Sequence, residues 1–191
     1  MAHDAHGHDD KSNSIFKIAM NLAMTCFISG AIIAGTYTIT EPAAHAQRIK
    51  AKNDAMRELV KDAEVFKAVE GKEGWYIAEK GGKAIAFVVP AVGKGYAGAI
   101  EMLAGVTMDG KLIDYKVLKH AETPGLGDKM VEPKFRKQFA GKTPADLEVV
   151  KVPTDKNIQA LTGATITSRA VTKGVREAIE AVGAYSASQN K

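Results

Sequence analysis

The longest apolar stretch of the chain lies near its amino terminus. Between Lys17 and Glu41, about 23 consecutive positions carry no charged residue. In a helix that rises about 1.5 Å per residue, such a stretch is longer than the roughly 30 Å hydrocarbon core of a bilayer. We therefore predict a transmembrane helix over residues 15–40. Its many alanines and glycines favour close packing against other membrane helices.

A cleaved signal peptide is the alternative for this segment. Ala44, His45 and Ala46 form the small-x-small tripeptide that precedes a cleavage site. The apolar stretch is longer than the roughly 7 to 15 residues of a signal core, and Glu41 and Pro42 interrupt the approach to the site. An uncleaved anchor is therefore favoured.

The basic residues on the two sides of the apolar stretch do not decide its orientation. Lys11 and Lys17 stand on one side, and Arg48, Lys50 and Lys52 on the other. A short amino-terminal tail is easily retained in the cytoplasm while a long domain is translocated. We expect residues 1–14 to be a disordered His- and Asp-rich cytoplasmic tail, and the carboxy-terminal domain to lie on the extracytoplasmic side.

The hydrophobic pattern after the membrane segment predicts a helix and then β-hairpins. A helical stripe of Ile49, Met56 and Leu59 predicts a connecting helix over 41–70. Strands are expected over 75–79 and 83–89, joined through two glycines, and over 98–107 and 111–118. Asp109-Gly110 predicts a tight turn in which both central residues have positive φ.

The rest of the pattern adds helices outside the sheet. Phe135 and Phe139 indicate a short helix, residues 147–152 a further strand, and the periodic apolar residues from Val171 to Val182 a longer helix. Hairpins with segregated helices predict the α+β class, as a single domain over 71–185 after one transmembrane helix. Residues 186–191 are expected to be a flexible tail.

Composition and charge exclude several functional classes. The net charge of the 191 residues is +4, with basic and acidic residues interspersed and no aromatic platform, so no nucleic-acid partner is expected. The single cysteine, Cys26, excludes an intrachain disulfide and a thiolate-bound metal cluster built by this chain alone. No metal site is predicted from the His-rich tail, and no noncovalent dinucleotide motif is present.

A cluster of hydroxyl residues precedes the last helix. Thr162, Thr165, Thr167 and Ser168 surround the small pair Gly163-Ala164. An ordinary helix cap explains such residues. The alternative is a phosphate site, because the first turn of a helix has unpaired N–H groups and a partial positive charge, and the small pair leaves room for a phosphate.

A loop after the second hairpin is the other conspicuous segment. It reads His-Ala-Glu-Thr-Pro-Gly-Leu-Gly over residues 120–127. One interpretation is a tight turn with a solvated Glu122 carboxylate. The other is a ligand site, in which Glu122 and Thr123 surround a planar polar ligand and Leu126 covers its apolar face.

Three segments together resemble one known family. They are Gly-Tyr-Ala-Gly-Ala-Ile at 95–100, the 120–127 loop, and Thr-Gly-Ala-Thr-Ile-Thr-Ser at 162–168. In order and spacing they resemble the covalent FMN-binding domain family. This family includes the G subunit of the Rnf ion-translocating complex and the C subunit of the sodium-translocating NADH:quinone reductase. The compact length is more similar to the Rnf branch.

The resemblance implies a specific cofactor and site. It implies that a dedicated flavin transferase joins FMN through its phosphate to Thr165. Residues implied to line the flavin ring are Glu122, Thr123, Gly125, Leu126 and Gly127. Residues implied to surround the linkage are Thr162, Gly163, Ala164 and Thr167.

The resemblance also implies a function. It implies a redox subunit of a ferredoxin:NAD⁺ oxidoreductase of the inner membrane, relaying electrons among iron–sulfur and flavin subunits without turnover of its own. One position departs from the family, since Gln159 stands where an Asp is common. The alternatives are a flavin-free anchored assembly domain, the equivalent quinone-reductase subunit, and a secreted protein released after Ala46.

Overall fold

The computed structural model describes residues 9–189, with side chains described from residue 15. The chain forms two compact units that divide between Lys50 and Ala51. The helix α1, Asp9–Leu59, is continuous through this boundary. Residues 1–8 of the expected disordered tail lie outside the described part of the chain, whereas α1 already begins at Asp9.

The first unit presents an apolar surface. Within residues 9–189, one helix is long and apolar enough to cross a membrane. Its large side chains are strongly exposed, with Phe27 at 78% and Ile39 at 81%. The Thr25 and Thr36 hydroxyls donate to the carbonyls of Asn21 and Ile32, both at 2.8 Å, so these polar groups are satisfied within the helix.

The second unit is built on a five-stranded antiparallel sheet whose strands lie in chain order. The strands are β1 Val65–Ala68, β2 Tyr76–Lys80, β3 Lys83–Lys94, β4 Ala99–Thr107 and β5 Leu112–Lys119. Gly81 and Gly82 form the turn between β2 and β3 with φ values of 56° and 74°. This left-handed pair joins the strands tightly, because both residues of such a turn need positive φ.

The turn between β4 and β5 differs from its prediction. Gly110 has a φ of 80°, but no non-glycine residue of the described chain has positive φ, so Asp109 does not. Thr107 instead accepts hydrogen bonds from Gly110 and Lys111 through its carbonyl and its hydroxyl, both at 3.0 Å. The hairpin prediction is right, and its predicted turn type is wrong.

Both faces of the sheet are covered. The helix α3, Thr165–Gln189, packs on one face with its buried residues, which include Val171, Val175 and Ile179. Glycines allow a close approach, because a Cβ at Gly93 would lie 2.4 Å from the Ala170 carbonyl oxygen. The predicted flexible tail 186–191 remains helical as far as Gln189, and residues 190–191 lie outside the described chain.

The other face of the sheet is covered by the end of α1. Met56 and Leu59 are buried against the sheet residues Val88 and Leu103. The predicted connecting helix over 41–70 is therefore wrong at its end: the helix ends at Leu59, and Val65–Ala68 form β1. Met56 and Leu59 of the stripe that predicted a connecting helix lie on the buried face of a core helix, whereas Ile49 is 48% exposed.

Short elements complete the second unit. They are α2 Pro133–Arg136, the 3-10 helices Gly127–Val131, Lys137–Phe139 and Pro144–Asp146, and the parallel pair β6 Val149–Val150 and β7 Ile158–Gln159. The strand predicted over 147–152 is thus reduced to two residues. The overall class is α+β, as predicted.

Candidate functional site

A cavity of about 540 Å³ lies where three segments of the second unit meet. These segments are the turn between β3 and β4, the loop that follows β5, and the first turn of α3. Its volume is in the range of small-molecule sites. Eight of the ten site residues proposed from sequence line it, namely Glu122, Thr123, Leu126, Gly127, Gly163, Ala164, Thr165 and Thr167.

Two of the proposed site residues do not line this cavity. Thr162 lines a neighbouring cavity of about 350 Å³, together with Gln138 and Gln159. Gly125 has a φ of 76° and serves the geometry of its loop. The Thr123 carbonyl accepts from the amides of Leu126 and Gly127 at 3.2 and 3.1 Å, and this tight turn needs a left-handed residue at 125.

Sequence reasoning missed two residues that line the cavity. Tyr96 and Ile166 both line it, and they are 73% and 54% exposed. Large exposed apolar side chains of this kind indicate a ligand contact, because exposed apolar groups beside a cavity often cover a ligand. In the sequence, Tyr96 stands out as an aromatic residue within a glycine-rich turn.

The first turn of α3 is open to a ligand. Ala164 precedes the helix and has only a methyl group, so it cannot cap the helix as Ser or Asp would. In the described chain the first α3 amide with a backbone acceptor is that of Ser168, which donates to the Ala164 carbonyl at 3.0 Å. The three preceding amides, including that of Thr165, are therefore available to an anion.

Gly163 makes this approach possible. Its φ is 78°, a conformation that other residues adopt at a cost, and a Cβ there would lie 3.1 Å from Leu126 Cδ2. Gly163 thus lets the loop of residues 122–127 lie directly against the turn that precedes α3.

The four hydroxyls of the cluster have different roles in the structure. Ser168 is fully buried, accepts from the Leu161 amide and donates to the Ala164 carbonyl, both at 2.9 Å. Thr167 is also buried and donates to Glu122. Thr162 is exposed and lines the neighbouring cavity. Thr165 is half-buried, lines the main cavity, and has no side-chain hydrogen bond among the described residues.

Glu122 is a buried carboxylate in the wall of the cavity. It is only 5% exposed. Its Oε1 accepts from the Ala97 amide at 2.9 Å, and its Oε2 accepts from the Thr167 hydroxyl. The structure therefore does not support the interpretation of a solvated carboxylate on a turn.

Comparison with known proteins agrees with this arrangement. The FMN-binding domain family matches residues 95–180, a range that contains every residue lining the main cavity. The chain is 57% identical over 175 residues to the G subunit of the proton-translocating ferredoxin:NAD⁺ oxidoreductase complex of Clostridium ljungdahlii. That match covers 91% of this chain and 95% of the relative. The chain belongs to the G-subunit family. The family resemblance stated from the three sequence segments is thereby confirmed.

Two further comparisons show lower sequence identity. The G subunit of the ion-translocating oxidoreductase complex of Methanosarcina acetivorans is 30% identical, over 91% of this chain and 97% of the relative. Among solved structures, that of Shewanella oneidensis NqrC is 22% identical, with a TM-score of 0.48. The match to NqrC covers 63% of this chain and 67% of the solved one.

Proposed function

We propose that this chain is the electron-carrying G subunit of an ion-translocating ferredoxin:NAD⁺ oxidoreductase complex, with FMN joined by a phosphoester to Thr165. Membership of the G-subunit family and the match to the FMN-binding domain support the carrier role. The observation that supports attachment at Thr165 is the position and hydrogen bonding of the four hydroxyls. Of the four in the cluster, Thr165 alone combines a place on the main cavity with a side chain that makes no hydrogen bond in the described chain.

The residues around the cavity suit both ends of FMN. Tyr96, Leu126 and Ile166 offer apolar surface to a planar ring. The free amides of the first turn of α3 suit the phosphate, since an ester phosphate keeps one negative charge. A helix start stabilises such a charge by about 0.3 to 1 kcal/mol.

The attachment is a phosphoryl transfer from an activated flavin. The Thr165 oxygen attacks the phosphorus of FMN in a flavin phosphoanhydride, and a new P–O bond forms. The anhydride bond to the leaving nucleotide phosphate breaks, and a base of the flavin transferase takes the hydroxyl proton. No electrons are exchanged in this step.

When bound, FMN supplies a group that accepts and passes on one or two electrons. The residues of the chain bind and orient it. The left-handed Gly163 brings Leu126 against the attachment turn, and the buried Ser168 fixes both ends of that turn. Covalent attachment keeps the flavin on the protein in each redox state.

We place the domain on the extracytoplasmic side of the inner membrane, anchored by a single helix over 15–40. The partners are then the membrane, iron–sulfur and flavin subunits of the complex. Replacing Cys26 with Ser and Glu73 with Cys gives one exposed thiol on the domain. A maleimide reagent that cannot cross the membrane should label it in intact cells. Labelling only after permeabilisation would contradict this placement.

The attachment is tested by expressing the full chain with a flavin transferase. We expect flavin fluorescence on a denaturing gel, and an intact mass increased by FMN less one water. Thr165→Ala should lose both signals, whereas Thr162→Ala, a matched removal of a nearby hydroxyl, should retain them.

The same experiment separates the alternatives. An unmodified wild-type chain in a colourless complex would support the flavin-free assembly domain. Fluorescence that survives Thr165→Ala would place the linkage on another residue. Copurification with quinone-reductase subunits would support the equivalent subunit of that enzyme.

A further inference from the structure

The carboxylate of Glu122 is buried without a cation. In the described part of the chain it forms no ion pair with a lysine, arginine or histidine. Instead, each of its oxygens accepts one hydrogen bond, from the Ala97 amide and from the Thr167 hydroxyl. Buried charges are costly and are normally paired, so this arrangement requires a reason.

The surrounding backbone is shaped around this carboxylate. A Cβ at Gly95 would lie 2.4 Å from Glu122 Oε1, and a Cβ at Gly127 would lie 2.8 Å from Oε2. Neither glycine has positive φ, so conformational freedom does not explain them. A side chain at either position would collide with Glu122, and also with Ile100 Cδ1 at Gly95 or with Thr167 Oγ1 at Gly127.

The two hydrogen bonds join three segments that are distant in sequence. Glu122 lies on the loop after β5, Ala97 on the turn between β3 and β4, and Thr167 in the first turn of α3. Residues two apart on a helix point in different directions. Thr167 is buried in the cavity wall and Thr165 is half-buried at the same cavity, so holding Thr167 in place also fixes the direction of the Thr165 side chain.

From this geometry we propose that Glu122 is the positioning residue for the attachment threonine, acting through Thr167. The proposal rests on the proposed attachment of FMN at Thr165. The packing of Gly93 and Gly174 fixes the body of α3 on the sheet. The first turn precedes the helix's regular hydrogen bonds. Ser168 ties this turn to Leu161 and Ala164, and the Glu122–Thr167 bond ties it to the loop after β5.

This role differs from that of a ring-contacting residue. Each oxygen of Glu122 already accepts one hydrogen bond from the protein itself, so its orienting role does not depend on contact with the flavin. Its negative charge nevertheless remains in the wall of the cavity. A negative charge there disfavours the addition of electrons to a bound flavin.

Two substitutions at Glu122 distinguish the effect of its hydrogen bonds from the effect of its negative charge. Glu122→Ala removes both acceptors. Glu122→Gln keeps an acceptor for Ala97 and can donate to the Thr167 hydroxyl, which accepts as well as donates. Glu73→Ala is the matched control, because it removes an exposed carboxylate of the same domain.

We expect two readouts to respond to Glu122→Ala in the full-length protein. Hydrogen exchange of the Ala97 amide in the flavin-free chain should accelerate by about tenfold or more, since the bond to a charged acceptor is lost. The rate of flavin attachment by the transferase should fall by about tenfold or more. Glu122→Gln should restore both to within about threefold, and Glu73→Ala should change neither.

The redox potential provides a readout that a purely structural role would not move. In the flavin-loaded protein, Glu122→Gln should shift the midpoint potential to a more positive value, because it removes a negative charge and retains the geometry. Glu73→Ala should leave the potential unchanged.

The proposal would be overturned if Glu122→Ala kept the wild-type rate of Ala97 amide exchange and the wild-type rate of flavin attachment. Failure of Glu122→Gln to restore attachment would overturn the positioning role as well. If the wild-type chain accepts no flavin at all, the proposed function fails. The exchange of the Ala97 amide then still decides whether Glu122 holds the three segments together.

Discussion

The Ser168 hydroxyl accepts a hydrogen bond from the Leu161 amide at 2.9 Å, across the turn that carries Gly163. The same hydroxyl donates to the Ala164 carbonyl. Ser168→Ala leaves the Leu161 amide without its partner. We expect a loss of about 1 to 3 kcal/mol in the free energy of unfolding.

Urea denaturation of the full-length protein in detergent measures this loss. Ser188→Ala is the control, because the Ser188 hydroxyl also bonds a backbone carbonyl but is exposed near the end of α3. It should change the stability little. Equal effects of the two substitutions would show that the Ser168 bridge does not stabilise the turn.

Gly163 is a second position at which one substitution should change both the stability of the domain and the geometry of the site. Gly163→Ala places a Cβ at a φ of 78° and within 3.1 Å of Leu126 Cδ2. We expect a loss of about 1 to 3 kcal/mol from the backbone conformation, together with slower flavin attachment.

Gly183→Ala is its matched control. Gly183 lies inside α3 on an exposed face, and a Cβ there meets no atom within 4 Å. Alanine in a helix interior should raise the stability by about 0.5 to 1 kcal/mol. Thermal unfolding compares the two variants. If both substitutions destabilised the domain, the effect at Gly163 would reflect a general intolerance of alanine in place of glycine and not the backbone conformation at this position.

Tyr115 gives the domain a pH dependence on the alkaline side. The side chain is fully buried, and its hydroxyl donates to the Met130 carbonyl at 2.6 Å. Burial raises the pKa of Tyr115 above its ordinary value of 10.0. The unfolded chain therefore loses this proton near pH 10, whereas the folded chain keeps it.

The contribution of Tyr115 to stability is complete below pH 10 and is lost as the pH rises further. Its loss amounts to at most about 1.4 kcal/mol per pH unit. Tyr115→Phe should lower the stability at pH 7 by about 1 to 3 kcal/mol and give a shallower decline above pH 10. Parallel curves for the two proteins in urea titrations at several pH values would contradict this.

Sequence reasoning succeeded where a pattern repeats or a turn residue is specific. The hairpins were predictable because β-prone runs alternate with glycine turns at 81–82 and 110. The carboxy-terminal helix was predictable from its apolar period. Most cavity residues were predictable because they lie in two of the three segments that carry the resemblance to a family.

The errors have physical causes. The stripe of Ile49, Met56 and Leu59 is equally consistent with a connecting helix and a core helix, since periodicity does not say which surface it covers. β1 has only four residues and no clear alternation. The hydrogen bond from Thr167 to Glu122 joins residues far apart in the sequence, so only the tertiary structure reveals why that carboxylate is buried.

The position of the domain boundary gives a further prediction. A truncated chain of residues 51–191 retains Met56 and Leu59, which cover one face of the sheet. It should unfold cooperatively. A chain of residues 71–191, the boundary expected from sequence, loses that cover and β1.

The shorter chain should therefore lack a cooperative transition in urea, since it exposes apolar surface of β2, β3 and β4. Circular dichroism in the near-ultraviolet distinguishes the two chains. A cooperative transition in the 71–191 chain would show that the end of α1 is dispensable for the core.

The attachment residue is tested most directly by locating the flavin within one peptide. Trypsin cleaves after Lys156 and Arg169, so a single peptide contains all the hydroxyls of the 162–168 cluster. Fragmentation mass spectrometry of this peptide, from protein matured with the transferase, assigns the added mass to one residue. We expect FMN less one water on Thr165. An unmodified peptide, or the same mass on Thr162, Thr167 or Ser168, would contradict the proposed attachment.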